Sequence, residues 1–275
     1  MRLSLSVRVA EAPKRKDVAA VPIEDLAPMA AAAGFRALSL LASVVSVATP
    51  AARRAEIRRL LEAEGLAVSM VTGDIGLAAN DASATAALID IGPYLNLAAA
   101  FDCRLVRVML QEDGDIPRAR AAAEAAEARG MTLVQMIHWG TLAETAEEAL
   151  ALVRAVDRPG FRLAYEPANQ LGATGRFDPA AIAPLAPFLA NVLFQNLRED
   201  PGSPIGFPTR RRGHVAVRYA PIDDAGAIDV RLVVAALKDA GYDGWFTVHQ
   251  PLRDGETVDG SLAAAMDCLG PLVSD

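Results

Sequence analysis

Residues Arg104–Leu110 read RLVRVML and residues Met131–His138 read MTLVQMIH; between them lies an Ala-, Glu- and Arg-rich run that Pro117 opens and Gly130 closes. The two flanking runs have strand composition, and the intervening one has helical period with a first-turn proline. A strand–helix–strand unit of this kind brings the chain back in the same direction, so its strands pair in parallel. The alternation continues on both sides. Towards the N-terminus it predicts a strand at Leu3–Val9, a helix at Ile23–Ala33 stopped by Gly34, and a short strand at Ala37–Leu41. A helix from Pro50 to Glu64 stopped by Gly65 follows, then a strand at Ala67–Gly73 and a helix over about Ala82–Ala100 interrupted near Gly92-Pro93. Towards the C-terminus a Thr141–Glu144 capping box opens a helix reaching Val156. Next come a strand at Phe161–Glu166, a helix from Asp178-Pro179 to Leu189 and a strand at Asn191–Asn196. A long polar loop, Leu197–Gly226, precedes a helix at Asp229–Ala240, a strand at Gly244–Gln250 and a last helix at Gly260–Leu272. Eight strand–helix pairs predict an α/β fold, a single (β/α)8 TIM barrel with outer helices, as one domain over residues 1–275. An open doubly wound sheet would carry a Gly-rich phosphate loop after its first strand, and no GxGxxG or GxxxxGK[ST] occurs.

Composition narrows the function classes. The chain has 275 residues, 52% hydrophobic, and a net charge of −7. That charge disfavours nucleic acid and anionic membranes as partners, since either needs a basic face. Arg210, Arg211 and Arg212 stand in a polar stretch and read as a solvated loop. No segment offers the roughly 18 consecutive apolar residues of a membrane helix. The N-terminus lacks the apolar core of a signal peptide. With Cys103 and Cys268 far apart and no CxxC spacing, the expectation is a reduced, cytoplasmic protein, with homo-oligomers left open.

In a barrel the active site lies where the strands end. Arg8 stands there for the first strand, Thr72 and Asp74 for the third, Gln111 and Glu112 for the fourth, and His138 for the fifth. Glu166 ends the sixth, Gln195 and Asn196 the seventh, and His249 and Gln250 the eighth. Glu166 with His138 and His249 is a candidate divalent-metal set, to which the Gln195 amide oxygen adds a weak ligand. The same histidines also serve as substrate ligands or general bases without metal. Glu166 and His249 are the candidate catalytic pair. Arg8, Asp74, Trp139, Asn169 and Gln250 are candidate substrate contacts. Asn169 orients the Glu166 carboxylate or merely belongs to a Pro/Asn turn. His214 falls in the long loop and reads as solvated, and Trp245 as core.

Several stretches together carry a likeness: LSLSV, GFRALSL, VSMVTGD, HWGTLAET, LAYEPAN, VLFQN and GYDGWFTVHQ. As an ordered set over nearly the whole chain they resemble the sugar phosphate isomerase/epimerase group, the xylose isomerase-like TIM barrels. The resemblance implies a divalent metal (Mn, Mg, Zn or Co) held by Glu, Asp, His and Glu from strands five to eight. In this sequence Glu166 falls on the Asp, Gln195 on the His and His249 on the last Glu. The first Glu falls near Gln135 or Met136, with His138 close by. Every position departs from the usual set, so the metal is itself in question. The resemblance implies enediolate chemistry on a sugar-like small molecule, phosphorylated or not, with His249 as second acid/base beside Glu166. A lyase or dehydratase acting on a hydroxy- or keto-acid is an alternative, and a metal-free sugar-binding barrel another. A DNA-repair nuclease on the same barrel would need three metals and a basic face.

Overall fold

A computed structural model describes the chain apart from residues 14, 274 and 275, so the last positions of the 1–275 domain reading lie outside the described residues. The strands are β1 (Arg2–Ser6), β2 (Ala37–Leu40), β3 (Ala67–Val71), β4 (Leu105–Val108), β5 (Thr132–Met136), β6 (Phe161–Tyr165), β7 (Leu189–Phe194), β8 (Leu197–Glu199), β9 (Gly206–Thr209), β10 (Gly213–Tyr219) and β11 (Trp245–Val248). The helices are α1 (Ile23–Ala33), α2 (Ala51–Ala63), α3 (Ile75–Ala79), α4 (Ala86–Ile89), α5 (Gly92–Ala99), α6 (Asp115–Glu127), α7 (Ala146–Val156), α8 (Pro167–Thr174), α9 (Ile182–Leu185), α10 (Val230–Asp239) and α11 (Val258–Val273). β1 through β7 and β11 close into a parallel barrel in the order β1-β11-β7-β6-β5-β4-β3-β2. This is the α/β TIM barrel that the alternation predicts.

Two apolar layers hold it. A large one packs the strands' outer faces against the helices. A small one, Met70, Val134, Met136, Ala164 and Leu193, plugs the barrel interior. Two pairs of polar residues meet in this interior: Ser4 Oγ with Ser69 Oγ at 2.7 Å, and Thr247 Oγ1 with Asn191 Oδ1 at 2.9 Å. Pairing matters because an unmatched polar group in so dry a space is costly. Gly34, at φ 103°, ends α1 in the left-handed conformation that favours glycine.

The structure corrects several boundaries. The capping box of α7 is Thr145 with Glu148, one turn later than Thr141 with Glu144. Thr141 instead donates to the His138 carbonyl at 2.8 Å, and Glu144 is buried. The first strand stops at Ser6, and a 3-10 turn, Val7–Ala10, carries Arg8. The helices expected over Ala82–Ala100 and from Asp178 to Leu189 are each broken into shorter pieces. A further helix, α8, follows Glu166 directly where only a turn was in view.

The last correction matters most. The expected polar loop after β7 is a three-stranded antiparallel sheet in the order β8-β10-β9. Its centre is GHVAVRY, whose Val215 and Val217 are buried while His214 and Arg218 are exposed, the period of a half-buried strand. Glu144 pins the sheet to the barrel. Its Oε1 accepts from the backbone N–H of Gly140 at 2.7 Å and from that of Arg210 at 2.6 Å. Arg211 adds a pair to Glu148 at 3.0 Å. Among the described residues no helix is long and apolar enough to cross a membrane.

Thr145→Ala should cost about 1 kcal/mol by denaturant unfolding, the usual worth of an N-cap. Glu144→Ala should do something different: leave two backbone donors unmet and release the β9–β10 turn. Limited proteolysis should then cut near Arg210–Arg212 faster in Glu144→Ala than in Thr145→Ala. Equal rates would show that Glu144 does not fasten the sheet.

Candidate functional site

At the C-terminal ends of the strands lies a cavity of about 380 Å³, walled by Arg8, Lys16, Arg107, His138, Gln195 and His249, with Trp139, Phe207 and Pro208 closing one side. That size is at the small end of the range for small-molecule sites. Register explains the convergence. Phe194 pairs with Val248 and Leu5 with Val248, so the next residues along, Gln195, His249 and Ser6, stand side by side. His249 Nδ1 meets Ser6 Oγ at 2.9 Å.

Glu166 does not itself line the cavity; it is 1% exposed and stands next to Gln195, Arg8 and Arg107, which do. Its Oε2 accepts from Asn169 Nδ2 at 2.9 Å, and the same amide reaches the Ile137 carbonyl at 2.9 Å. Asn169 lies three residues into the turn that α8 begins, so its side chain folds back onto Glu166. Glu166 Oε1 is buried without a hydrogen-bond partner, as is Gln195 Oε1. Burial pushes the Glu166 carboxyl up to about 7; Arg8 and Arg107, with the Gln195 and Asn169 amides, hold it from rising further.

The two arginines are themselves buried, Arg8 at 9% exposure and Arg107 at 4%. Arg8 Nη2 donates to the Tyr219 hydroxyl at 2.8 Å, and its guanidinium lies 5.7 Å from that ring's centre. Arg107 Nη2 donates to Asn80 Oδ1. The Nε atoms of both lack partners. Lys16 folds into the mouth with its Nζ 3.1 Å from Glu11, and burial together with Arg8 lowers it to about 8.

Both histidines are neutral. Burial next to Arg107 takes His138 down to about 3. Burial beside Arg8 and Lys16 takes His249 well below its usual range. The network assigns the tautomer of His138. Asn80 gives its carbonyl to Arg107, so its amide donates to His138 Nε2 at 3.2 Å, and His138 Nδ1 donates to the Trp139 carbonyl at 3.0 Å. Ser6 Oγ accepts from the Arg8 N–H at 3.3 Å and is hydrogen-bonded to His249 Nδ1. Burial among cations opposes the imidazolium that a second acid/base role for His249 would need.

Sequence residues 28–270 match the family model of the xylose isomerase-like TIM barrel. The chain belongs to that family. No sequence among curated proteins matches it significantly. Solved structures share the fold at low identity. A xylose isomerase-like TIM barrel protein from Mycobacterium smegmatis, in complex with magnesium, has a TM-score of 0.68 and 19% identity over 100% of this chain and 96% of its own. The probable 3-DHS dehydratase AsbF from Bacillus anthracis has 0.68 and 17% over 98% of each chain. D-psicose 3-epimerase from Clostridium cellulolyticum, with D-tagatose, has 0.59 and 16% over 98% and 92%. So solved structures that share this fold include an epimerase and a probable dehydratase, and one is in complex with magnesium.

The expected ligands for such a cation do not fit one here. Both ring nitrogens of His138 are used within the protein, and His249 Nδ1 is held by Ser6 Oγ. Among the described residues no three His, Cys, Asp or Glu side chains are grouped to hold a metal ion. Two guanidiniums next to Glu166 would repel a dication. The metal set of Glu166, Gln195, His138 and His249 is thus corrected, although Glu166, Gln195 and His249 do meet at one place.

Two expected substrate contacts are corrected as well. Asp74 caps α3, accepting from the Leu77 N–H at 2.6 Å and from the Tyr94 hydroxyl. Gln250 ties the Asn196 N–H at 2.9 Å and the Ala220 carbonyl at 2.6 Å. Asn169 is fully buried and positions Glu166 without facing the cavity. Trp139 lines the cavity wall, its ring 3.8 Å from that of Phe207 and its Nε1 donating to the Asn169 carbonyl at 2.9 Å. Arg107, Lys16 and Asn80 escaped the sequence reading. For Arg107 a signal existed: a charge in the middle of an apolar strand, RLVRVML. Lys16 lay hidden in a charge run that reads as solvated.

Gly172 matters to this geometry, because a Cβ there would lie 2.4 Å from Trp139 Nε1. Gly172→Ala should displace the indole and with it the Asn169–Glu166 bond, costing about 1–3 kcal/mol of stability as overpacking does. The Trp139 emission should shift, read in a background with Trp245→Phe. Unchanged emission and stability would mean that the contact relaxes freely.

Proposed function

We propose that the protein is an isomerase or epimerase that moves a proton on a carbon next to the carbonyl of a small sugar-like molecule. The observation that carries this reading is the Glu166 carboxyl: buried, oriented by Asn169, with one oxygen unpartnered and a pKa of about 7. A base poised at the working pH is what proton abstraction from carbon requires. In the proposed step Glu166 takes the proton and the electron pair moves onto the substrate oxygen. In this step His249 carries its proton on Nε2 and donates to that oxygen, and Arg8 and Arg107 offset its charge. Returning the proton to the same or the neighbouring carbon completes epimerisation or isomerisation. Trp139 and Phe207 keep bulk water off one side of the cavity. The shared fold supports the reading, since D-psicose 3-epimerase is built on it. The dehydratase alternative shares the first step and parts from it only if a hydroxyl leaves the neighbouring carbon; product analysis separates the two.

The test is deuterium uptake from heavy water into a panel of small ketoses, aldoses and hydroxy-acids, followed by proton NMR. Glu166→Gln should slow exchange about 10²–10⁴-fold, the scale of a lost general base. For the wild type, kcat/KM should rise about tenfold per pH unit below 7 and level off above it, because the base acts only when ionised. Exchange that survives Glu166→Gln at full rate would remove Glu166 from the chemistry.

A further inference from the structure

We infer that the substrate of this cavity is an acid, bound through its carboxylate by Arg8 and Arg107, and that these two guanidiniums do the electrostatic work a divalent cation would otherwise do. The inference builds on the proposed proton transfer at Glu166.

The first ground is a charge imbalance. Among the described residues neither Arg8 nor Arg107 has a carboxylate within ion-pair distance; their partners are the Tyr219 hydroxyl and the Asn80 carbonyl oxygen, both neutral. Lys16 adds a third cation, matched by Glu11. Asp74 acts on Arg107 only from a distance, with both of its oxygens taken. Glu166 is the one carboxylate that acts on both guanidiniums. Two buried cations against one buried carboxylate is a costly arrangement unless a ligand supplies the missing charge.

The second ground is geometry. The Nε–H groups of Arg8 and Arg107 are both buried and unpartnered, and both residues line the same cavity as His249 and Gln195. A guanidinium with a free Nε–H is built to grip an oxyanion, and a carboxylate matches its fork. The third ground is position. The same two cations act on Glu166, so an anion held by them sits close to the base. A carboxylate one or two bonds from the abstracted proton meets that condition; a phosphate at the far end of a sugar does not. During the proton transfer the C–H bond breaks, the proton goes to Glu166, and the pair spreads onto oxygen next to the same guanidiniums.

The experiment is calorimetric titration of the full chain, treated with EDTA, at pH 7.5. The probes are glycolate and tartronate, with glycolamide, inorganic phosphate and D-fructose for comparison. Glycolate and tartronate should bind, glycolamide should bind at least about tenfold more weakly, and EDTA should leave the affinities unchanged. That comparison uses the wild type and so needs no variant to fold. Arg107→Gln and Arg8→Gln, checked by thermal unfolding, should each weaken tartronate at least about tenfold, the worth of a charge-assisted hydrogen bond. Glu166→Gln should bind tartronate as well as or better than the wild type while losing exchange, so a failure of the base leaves the anion site intact and visible. Carboxylates that bind no better than glycolamide would overturn the inference. So would phosphate or fructose binding alone, or binding that EDTA abolishes.

Discussion

Two guanidiniums and a carboxylate share a dry space at the open end of the barrel, and the rest of the site answers to that fact. A charge taken out of water is tolerated only if neighbours replace the lost solvation. Asn80 and Tyr219 do this for Arg107 and Arg8, and Asn169 does it for Glu166. Each supporting group is neutral, so the positive charge is oriented but not cancelled. The histidines answer to the same charges: next to such cations a buried imidazole stays neutral, and for His138 the network fixes which nitrogen carries the proton.

The surrounding structure keeps the space dry. Beneath the charges, the interior residues Met70, Val134, Met136, Ala164 and Leu193 leave little room for water. Beside them, Trp139 stacks on Phe207 of the sheet that follows β7. That sheet is held by Glu144 and by Tyr219 on Arg8, so the same element covers the cavity and steadies one of its cations. In a low dielectric these interactions are stronger than at a wet surface, which is how one carboxylate comes to be poised near neutrality.

The site differs from a cation-binding set in charge as well as in ligand identity. Where such a set would need several carboxylates and free imidazole nitrogens, this site has one carboxylate, two imidazoles tied by hydrogen bonds and two arginines. Positive charge is still present beside the base, now carried by side chains on β4 and on the turn after β1. A fixed guanidinium differs from a metal ion in that it prefers a planar oxyanion, so the change in charge carrier bears on which substrates fit.

The sequence by itself determined the barrel. Strand and helix periods are local, and eight alternations admit few other closures, so the fold was legible from runs such as RLVRVML and MTLVQMIH. It also placed Glu166, His249, Gln195, Arg8 and Trp139 near the mouth, because strand ends are legible to within a residue or two. What it left open depends on partners far along the chain. Asp74 and Gln250 stand at strand ends too, but their polar atoms are spent on Leu77, Tyr94, Asn196 and Ala220. His138 has the look of a ligand until Asn80, far earlier in the sequence, takes its second nitrogen. Thr141–Glu144 matches a capping box as well as Thr145–Glu148 does, and only the packing of Glu144 against Arg210 decides between them. Arg107 is a single charge in an apolar strand until the closed barrel turns it inward beside Glu166. Tertiary structure decided the chemistry because charge, tautomer and proton affinity are set by what lies within a few ångströms in space, and sequence neighbours supply few of those contacts.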